Sequence, residues 1–263
     1  MGKEIRLVEK DRTAVIFDMD GTLLDTERIY QKYWKIAADE LGFNLSSDQI
    51  LLLRSLAHNY GVELLKELTG SETAYDDIRD RRKELMDPVM KDMDTLPLKP
   101  KVKEALTYLK EKGMLLAVAT ATRRDRTFRY LEKAGLKDFF DEIISARDVA
   151  NGKPAPDVYL YACEMLGITP DKAFAVEDAP NGVRSAVGAG CRTIMIPDLT
   201  EPDEELKKLL VYRADDLLDA AEYIYAWKEN TRSTYIHDRN ACAEADHEPC
   251  NRDDNQYACY RLI

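Results

Sequence analysis

Two carboxylates follow a short apolar segment near the start of the chain. The run Ala14-Val15-Ile16-Phe17 is typical of a short buried strand. Asp18 and Asp20 come directly after it, and Gly21 permits a turn and a close backbone approach to a ligand. Carboxylates at the end of a buried strand are costly to desolvate unless a cation meets them. They predict a divalent cation site with one acidic group left over for chemistry, although a solvated acidic turn has the same sequence pattern.

Further polar residues follow the other predicted strands. Thr120 follows one strand, Glu177 and Asp178 follow another, and Lys153 lies in a loop just before a helix. Ligands of open parallel sheets bind beyond the carboxyl ends of the strands, so these groups are expected at one rim. Together they suit a phosphoryl group held beside a metal ion. Taken singly, Thr120 could cap the next helix, Lys153 could be a solvated charge, and the acidic pair could form a turn or a cap.

Alternating helices and strands from about residue 101 indicate how these groups are positioned. Continuous apolar strands between amphipathic helices predict an α/β fold with a Rossmann-like parallel sheet covered on both faces. The predicted strands after the first are 114–119, 142–145, 173–176, 193–196 and a segment near 210–212. The predicted helices of this part are 102–109, 124–134, 156–166 and 182–189.

An all-helical block interrupts this alternation after the first strand. Its predicted helices are 26–41, 51–56, 62–68 and 78–93. We therefore expect a catalytic core of residues 1–22 and 96–224, an inserted helical cap of residues 23–95, and a polar C-terminal extension of residues 225–263. The two chain crossings, near 23–27 and 93–99, are the expected hinges of the cap.

Composition restricts the function classes. The chain has 263 residues and a formal net charge of −11, which argues against a broad basic face for nucleic acid. A local pocket can still be positive, so a small anionic substrate stays compatible with this charge. No apolar run approaches the roughly 20 residues that span a bilayer, and the first residues lack the apolar segment of a signal peptide. We expect a cytoplasmic protein without a membrane partner, either a monomer or a small homo-oligomer.

The five cysteines do not form a disulfide framework in a chain of this length. Cys163 and Cys191 lie in apolar segments and are expected to be buried. Residues 229–263 are polar without clear periodicity, so disorder or a loosely docked extension is expected there. This segment contains potential zinc ligands, but their spacing includes no compact pair, which favours an extension without a catalytic role; they are Cys242, His247, Cys250 and Cys259.

Four segments of the chain resemble the motifs of the haloacid dehalogenase superfamily. The first is Asp18-Met19-Asp20-Gly21-Thr22, and the second ends at Thr120. The third is Gly152-Lys153-Pro154, and the fourth contains Glu177-Asp178 before Ala179-Pro180. The resemblance covers residues about 13–224. The chain most resembles the β-phosphoglucomutase-like phosphatases, whose helical cap lies between the first and second motifs. The helical block of this chain lies in the same place.

The resemblance implies a role for each catalytic residue. Asp18 would be the nucleophile that forms an aspartyl-phosphate. Asp20 would protonate the leaving oxygen and then activate water. Lys153 would bridge the nucleophile and the phosphate and offset negative charge in the transition state.

The resemblance also implies a metal site and a phosphate site. Mg²⁺ would be bound by Asp18, the backbone carbonyl of Asp20 and Asp178, with Glu177 ranked below them. The phosphoryl oxygens would be held by one hydroxyl, one ammonium and two backbone N–H groups, from Thr120, Lys153, Ala121 and Gly21.

Two positions separate activities within the superfamily. Dehalogenases and phosphonate hydrolases lack the second aspartate, so Asp20 favours phosphate esters. Tyr30 stands where β-phosphoglucomutase has a cap histidine, which weakens a mutase function. We therefore expect a Mg²⁺-dependent phosphatase of a small phosphorylated metabolite, either a sugar phosphate or a nucleoside monophosphate. The alternatives are a sugar-phosphate mutase and a non-catalytic phosphate-binding module.

Substrate choice is expected to depend on the cap, because the metal core recognises only phosphate. Arg54 is the first candidate to reach the pocket, although a surface helix charge is the alternative. Tyr30 is the second candidate, with Trp34 behind it. His58 could contact substrate, but helix capping or solvent exposure is the simpler expectation.

Overall fold

The sheet of the protein is parallel throughout. The computed structural model describes residues 12–244, with side chains described for residues 12–231. Its strand order is β3-β2-β1-β4-β5-β6, and every neighbouring pair is parallel. The strands are β1 (Ala14–Phe17), β2 (Leu115–Thr120), β3 (Glu142–Ser145), β4 (Ala173–Glu177), β5 (Arg192–Met195) and β6 (Tyr212–Arg213). The predicted α/β class with a parallel sheet is confirmed.

The central strand carries the first acidic motif. All four residues of β1 are buried, and β1 lies between β2 and β4. Phe17 at its end is in register with Val118 of β2 and with Val176 of β4. The carboxyl ends of these three strands therefore meet at one edge, as the sequence pattern predicts for parallel strands.

Ten α-helices are present among residues 12–244. Four of them follow β1 in sequence: α1 (Glu27–Glu40), α2 (Ser47–Leu51), α3 (His58–Thr69) and α4 (Ala74–Asp92). The other six alternate with the remaining strands or follow them: α5 (Val102–Glu111), α6 (Arg124–Lys133), α7 (Asp157–Leu166), α8 (Pro180–Ala189), α9 (Glu204–Lys207) and α10 (Leu217–Glu244). The described residues up to Tyr225 form one compact unit, and those from Ala226 onward belong to a second.

Helices α1 to α4 form the inserted helical cap. They share a hydrophobic cluster that includes Trp34, Leu65, Tyr75 and Ile78, so the cap has its own core. The two chain crossings are joined by hydrogen bonds. The N–H of Asp25 donates to the carbonyl of Pro97 at 2.9 Å, and the N–H of Lys99 donates to the carbonyl of Leu23 at 3.0 Å. The insertion of a helical cap is confirmed, while its predicted limits of 23–95 and its predicted hinges stay predictions.

The second cap helix was predicted at the wrong residues. It occupies Ser47–Leu51 instead of 51–56, because Ser46 and Gln49 form a capping box that starts the helix earlier. The chain then turns, and Ser55 adopts a left-handed φ of 52°. Arg54 consequently lies in a turn, not on the helix surface that the apolar residues after Leu51 suggest.

The prediction of no regular structure after residue 229 was wrong in part. Helix α10 continues to Glu244. Its second half lacks an apolar stripe, but it contains neither glycine nor proline, so nothing in the backbone interrupts its hydrogen-bond ladder. The side chains of the possible zinc ligands Cys242, His247, Cys250 and Cys259 fall outside the described residues.

Smaller differences concern the end of the core. Helix α9 was not predicted, and β6 begins at Tyr212, where the predicted strand ends.

Cys163 and Cys191 are buried free thiols, as predicted. Over residues 12–244, no helix has the length and hydropathy needed to cross a bilayer.

Candidate active site

A buried lysine joins two carboxylates at the carboxyl edge of the sheet. The Nζ atom of Lys153 donates to Oδ1 of Asp18 at 2.5 Å and to Oε1 of Glu177 at 2.6 Å. All three residues are at most 1 % exposed. Lys153 is therefore not a solvated loop charge. The loop that carries it is held to the cap by a hydrogen bond from the N–H of Ala57 to the Lys153 carbonyl at 2.8 Å.

Three carboxylates converge at one point of this edge. One oxygen from each of Asp18, Glu177 and Asp178 lies within 4.8 Å of the others. Oδ2 of Asp18 and Oε2 of Glu177 are buried without a hydrogen-bond partner among the described residues. Buried oxygen ligands without a partner are what a hard cation such as Mg²⁺ requires, so the donor set fits that ion.

The glycines of the first and fourth motifs make room for this cluster. A Cβ at Gly21 would lie 2.3 Å from Oδ2 of Asp178, and Gly21 has a left-handed φ of 88°. A Cβ at Gly182 would lie 2.1 Å from the Glu177 carboxylate. Only the absence of a side chain at these positions allows the backbone to approach the buried carboxylates so closely.

Burial perturbs the protonation of the cluster. It raises the pKa of Asp18 to about 7, against the opposing effect of Lys153. It also raises the pKa of Asp178 to about 7, against the opposing effect of Arg54. Two cations thus face three buried carboxylates, and an added divalent cation would favour the ionised form of all three.

The second aspartate of the first motif is directed elsewhere. The Asp20 carboxylate accepts hydrogen bonds from the hydroxyls of Thr26 at 2.6 Å and of Thr122 at 2.7 Å. Burial raises its pKa above the ordinary value, which favours a protonated carboxyl. The Asp20 side chain is not part of the cluster of three carboxylates formed by Asp18, Glu177 and Asp178. The two threonines were not predicted, and only the position of Thr122 after a strand end hints at its role.

Thr120 lies where the sequence places it, at the end of β2. Its side chain is buried, and its hydroxyl accepts from the N–H of Thr122 at 3.1 Å. It does not cap helix α6, whose N-cap residue is Arg123. Likewise, neither Glu177 nor Asp178 caps helix α8, whose N-cap residue is Ala179.

Arg54 reaches from the cap into the core. Its guanidinium contacts the Asp178 carboxylate and donates to the Asp178 carbonyl at 3.2 Å and to the Thr200 hydroxyl at 3.1 Å. Glu27 lies 3.6 Å from its Nε atom. The side chain is only 4 % exposed, so Arg54 is not a surface charge. Glu27 was not predicted as part of this cluster.

Asp18 of the carboxylate cluster lines a cavity of about 930 Å³ between the cap and the core. Its walls include Asp18, Asp20, Thr120, Ala121, Arg54 and Tyr30. Trp34 also reaches the wall, but it packs in the cap core against Tyr75 at 5.6 Å between ring centroids. His58 begins helix α3, is more than half exposed, and pairs with Asp76.

Tyr159 is a further residue that sequence patterns did not predict. Its hydroxyl donates to Oε1 of Glu177 at 2.5 Å, and its side chain is fully buried. Burial raises its pKa well above the ordinary value, so the hydroxyl stays protonated and acts as a donor. In the sequence, Tyr159 has the pattern of an ordinary core residue of α7.

Comparison with known proteins identifies the family. The family model of haloacid dehalogenase-like hydrolases matches residues 15–196. A phosphorylated carbohydrates phosphatase of Thermotoga maritima is 33% identical over 181 residues, which cover 69% of this chain and 83% of that protein. The β-phosphoglucomutase of Bacillus subtilis is 29% identical over 184 residues, covering 67% of this chain and 80% of that protein.

A solved structure agrees with the sequence comparisons. CbbY from Rhodobacter sphaeroides, a mutant in complex with xylulose-1,5-bisphosphate, superposes with a TM-score of 0.64 at 27% identity. The match covers 79% of this chain and 96% of that chain. The chain belongs to the haloacid dehalogenase-like hydrolases, among the β-phosphoglucomutase-like phosphatases with an inserted helical cap.

Proposed function

We propose that this protein is a Mg²⁺-dependent phosphatase of small phosphorylated carbohydrates that works through an aspartyl-phosphate on Asp18. The main support is the buried contact of Lys153 with Asp18, beside the other two carboxylates of the cluster. The substrate class is supported by the similarity to a phosphorylated carbohydrates phosphatase. A nucleoside monophosphate stays the second substrate class that the sequence predicts.

In the first step, a carboxylate oxygen of Asp18 attacks phosphorus, and the bond from phosphorus to the ester oxygen breaks. The leaving oxygen takes its proton from Asp20, which the hydroxyls of Thr26 and Thr122 orient. Lys153 offsets the negative charge that develops on the phosphoryl oxygens. Thr120 and the N–H groups of Ala121 and Gly21, which our proposal assigns to the phosphate site, would hold these oxygens.

In the second step, a water molecule replaces the alcohol. The Asp20 carboxylate, now deprotonated, takes a proton from the water molecule while the water oxygen attacks phosphorus. The bond between phosphorus and the Asp18 oxygen breaks, which releases phosphate and restores the Asp18 carboxylate. The same carboxyl therefore acts first as acid and then as base.

Asp18, Asp178 and the backbone carbonyl of Asp20 would hold Mg²⁺ in this proposal. Glu177 ranks below them, as the resemblance implies; its Oε1 accepts from Lys153 and Tyr159, and its Oε2 is the oxygen left for the ion. When bound, the ion would neutralise charge on the phosphoryl oxygens and position them against the nucleophile.

The similarity to β-phosphoglucomutase supports a second candidate activity, that of a sugar-phosphate mutase. A mutase must retain the phosphoryl group until the sugar reorients, and Tyr30 replaces the cap histidine of that enzyme. A non-catalytic phosphate-binding module would be expected to lack one of the chemical groups, yet Asp18, Asp20 and Lys153 are all present. A cytoplasmic location, a monomeric or small homo-oligomeric state, and the lack of nucleic-acid or membrane partners stay predictions.

The test is phosphate release from a panel of phosphorylated sugars and nucleoside monophosphates, with and without Mg²⁺. Glucose 1-phosphate isomers are checked in parallel for isomerisation. We expect Mg²⁺-dependent release without isomerisation, and loss of release in Asp18→Asn, whose fold is verified by circular dichroism. Isomerisation without release would favour the mutase, and full activity of Asp18→Asn would remove Asp18 as the nucleophile.

A further inference from the structure

Arg82 of helix α4 carries a buried positive charge that the mechanism above does not use. Its side chain is 9 % exposed, and its guanidinium lies over the rings of Trp34 and Tyr30, 4.6 and 5.1 Å from their centroids. No carboxylate among the described residues forms an ion pair with it, and its Nε atom has no hydrogen-bond partner there. The aromatic rings hold the planar group in place but do not neutralise it.

The described groups around Arg82 form no ion pair with it, and Asp20 and Asp87 interact with its charge only at longer range. The carboxylate of Asp87 is engaged by Arg126, which contacts both of its oxygens at 2.8 Å. Burial raises the pKa of the Tyr30 and Tyr75 hydroxyls, so both stay neutral. A buried guanidinium without an anion is unfavourable, which indicates that the anion comes from a ligand.

Neighbouring arginines of the same helix show the contrast. Arg79 pairs with Asp76 at 2.8 Å, and Arg81 pairs with Glu84 at 2.8 Å and with Glu40 at 2.7 Å. These exposed or half-exposed pairs are the usual arrangement of arginine on a helix surface. Arg82 alone of the three is buried and lacks an acidic partner.

Arg82 also lines the same cavity as the catalytic carboxylates. The cavity extends from Asp18 and Asp20 in the core to Arg82 and Arg126 between the cap helices and α6. Its volume of about 930 Å³ accommodates a small metabolite that spans both ends. The protein has a net charge of −11, so this positive wall is a local feature and not a reflection of overall composition.

We propose that Arg82 binds a second anionic group of the substrate, a phosphate or a carboxylate remote from the transferred phosphoryl group. The proposal rests on the proposed function, because it assumes that a phosphoryl group occupies the Asp18 end of the cavity. It narrows the substrate class to small phosphorylated metabolites with two anionic groups. Tyr30 and Trp34 then serve as the platform that orients the guanidinium.

The test measures binding in the Asp18→Asn variant with Mg²⁺ present, so that turnover does not interfere. Isothermal titration calorimetry compares glucitol 6-phosphate with 6-phosphogluconate, which replaces one terminal hydroxymethyl by a carboxylate, and with fructose 1,6-bisphosphate. We expect at least one of the two-anion ligands to bind about tenfold to a hundredfold more tightly than glucitol 6-phosphate, as for a charged hydrogen bond. The carboxylate and phosphate arms identify which anion is preferred.

A second set of variants assigns the preference to one residue. Arg82→Met in the same background should abolish the preference, and Arg82→Lys should retain part of it, which covers the case that the methionine variant does not fold. Arg81→Met removes an exposed charge one residue away and should leave the preference unchanged. Equal affinities for all three ligands, or a preference that survives Arg82→Met, would overturn the proposal.

The two proposals fail separately in this design. Wild-type protein that releases phosphate with Mg²⁺ but binds all three ligands equally contradicts only the role of Arg82. Wild-type protein that releases no phosphate, while Asp18→Asn shows the Arg82-dependent preference, contradicts only the catalytic proposal.

Discussion

The hydroxyl of Tyr159 offers a sharp test of how the active site is held together. It is fully buried and donates to the same Glu177 oxygen that Lys153 contacts at 2.6 Å. Tyr159→Phe removes this single donor and keeps the ring in the core. The Glu177 carboxylate then accepts a hydrogen bond from Lys153 alone. Lys153 is also the residue that donates to Asp18.

The magnitude follows from the charge of the acceptor. A hydrogen bond to a charged group contributes about 1.5–3 kcal/mol to the free energy of unfolding. For a chain of this size each kcal/mol corresponds to about 2–4 °C, so the melting temperature should fall by roughly 3–12 °C. Because Tyr159 acts through Glu177 and Lys153, kcat should fall about tenfold or more, with a smaller change in KM.

Tyr161→Phe is the matched control, since Tyr161 lies on the same helix and its hydroxyl makes no hydrogen bond among the described residues. Urea denaturation and thermal melting compare the two variants with wild type, and phosphate release gives kcat and KM. Equal stability and equal kcat for the two variants would refute the view that Tyr159 holds Glu177 and Lys153 in place.

Three further predictions concern protonation and packing. Asp20→Asn should slow hydrolysis by about 10²–10⁴, most for esters with poor leaving groups, which a leaving-group series measures. Gly182→Ala should destabilise the fold by about 1–3 kcal/mol because its Cβ would collide with Glu177, whereas Gly188→Ala on the same helix should not, as urea melts will show. The folded pKa of Asp178 is about 7 and its ordinary value 3.8, so this carboxyl stabilises the fold below pH 3.8 and loses that contribution as the pH rises through 7. Melts of the metal-free protein should therefore weaken between about pH 4 and 7, and Mg²⁺ should remove the decline.

The sequence predicts the sheet because its strands are continuous apolar runs. The three central strands are followed or ended by polar residues, which are Asp18 after β1, Thr120 at the end of β2 and Glu177 at the end of β4, so the carboxyl ends of these strands can be predicted. The sequence does not predict the order of the strands in space, but ligands of a parallel sheet bind beyond the carboxyl ends of its strands, whatever that order is. For that reason the sequence alone predicts that the residues of the four motifs lie close together.

Residues that act through tertiary packing could not be read in the same way. Tyr159 has the local pattern of a core residue, and its partner Glu177 is 18 residues away. Arg82 lies in a run of mixed charges that indicates a solvated helix face, yet the fold of the cap buries it against Trp34. The position of Arg54 in a turn depends on where the short helix α2 lies in the sequence. The start of that helix is set by the capping contacts of Ser46, which form only in the folded chain.

The central claim is that Asp18 carries the phosphoryl group during turnover. Wild-type protein is mixed with Mg²⁺ and an excess of substrate, quenched, and treated with borohydride, which reduces an aspartyl-phosphate to homoserine. Peptide mass spectrometry then locates the modified residue. We predict homoserine at position 18 and none at Asp20 or Asp178. Homoserine at another aspartate, or steady phosphate release with position 18 unmodified at every quench time, would contradict the account.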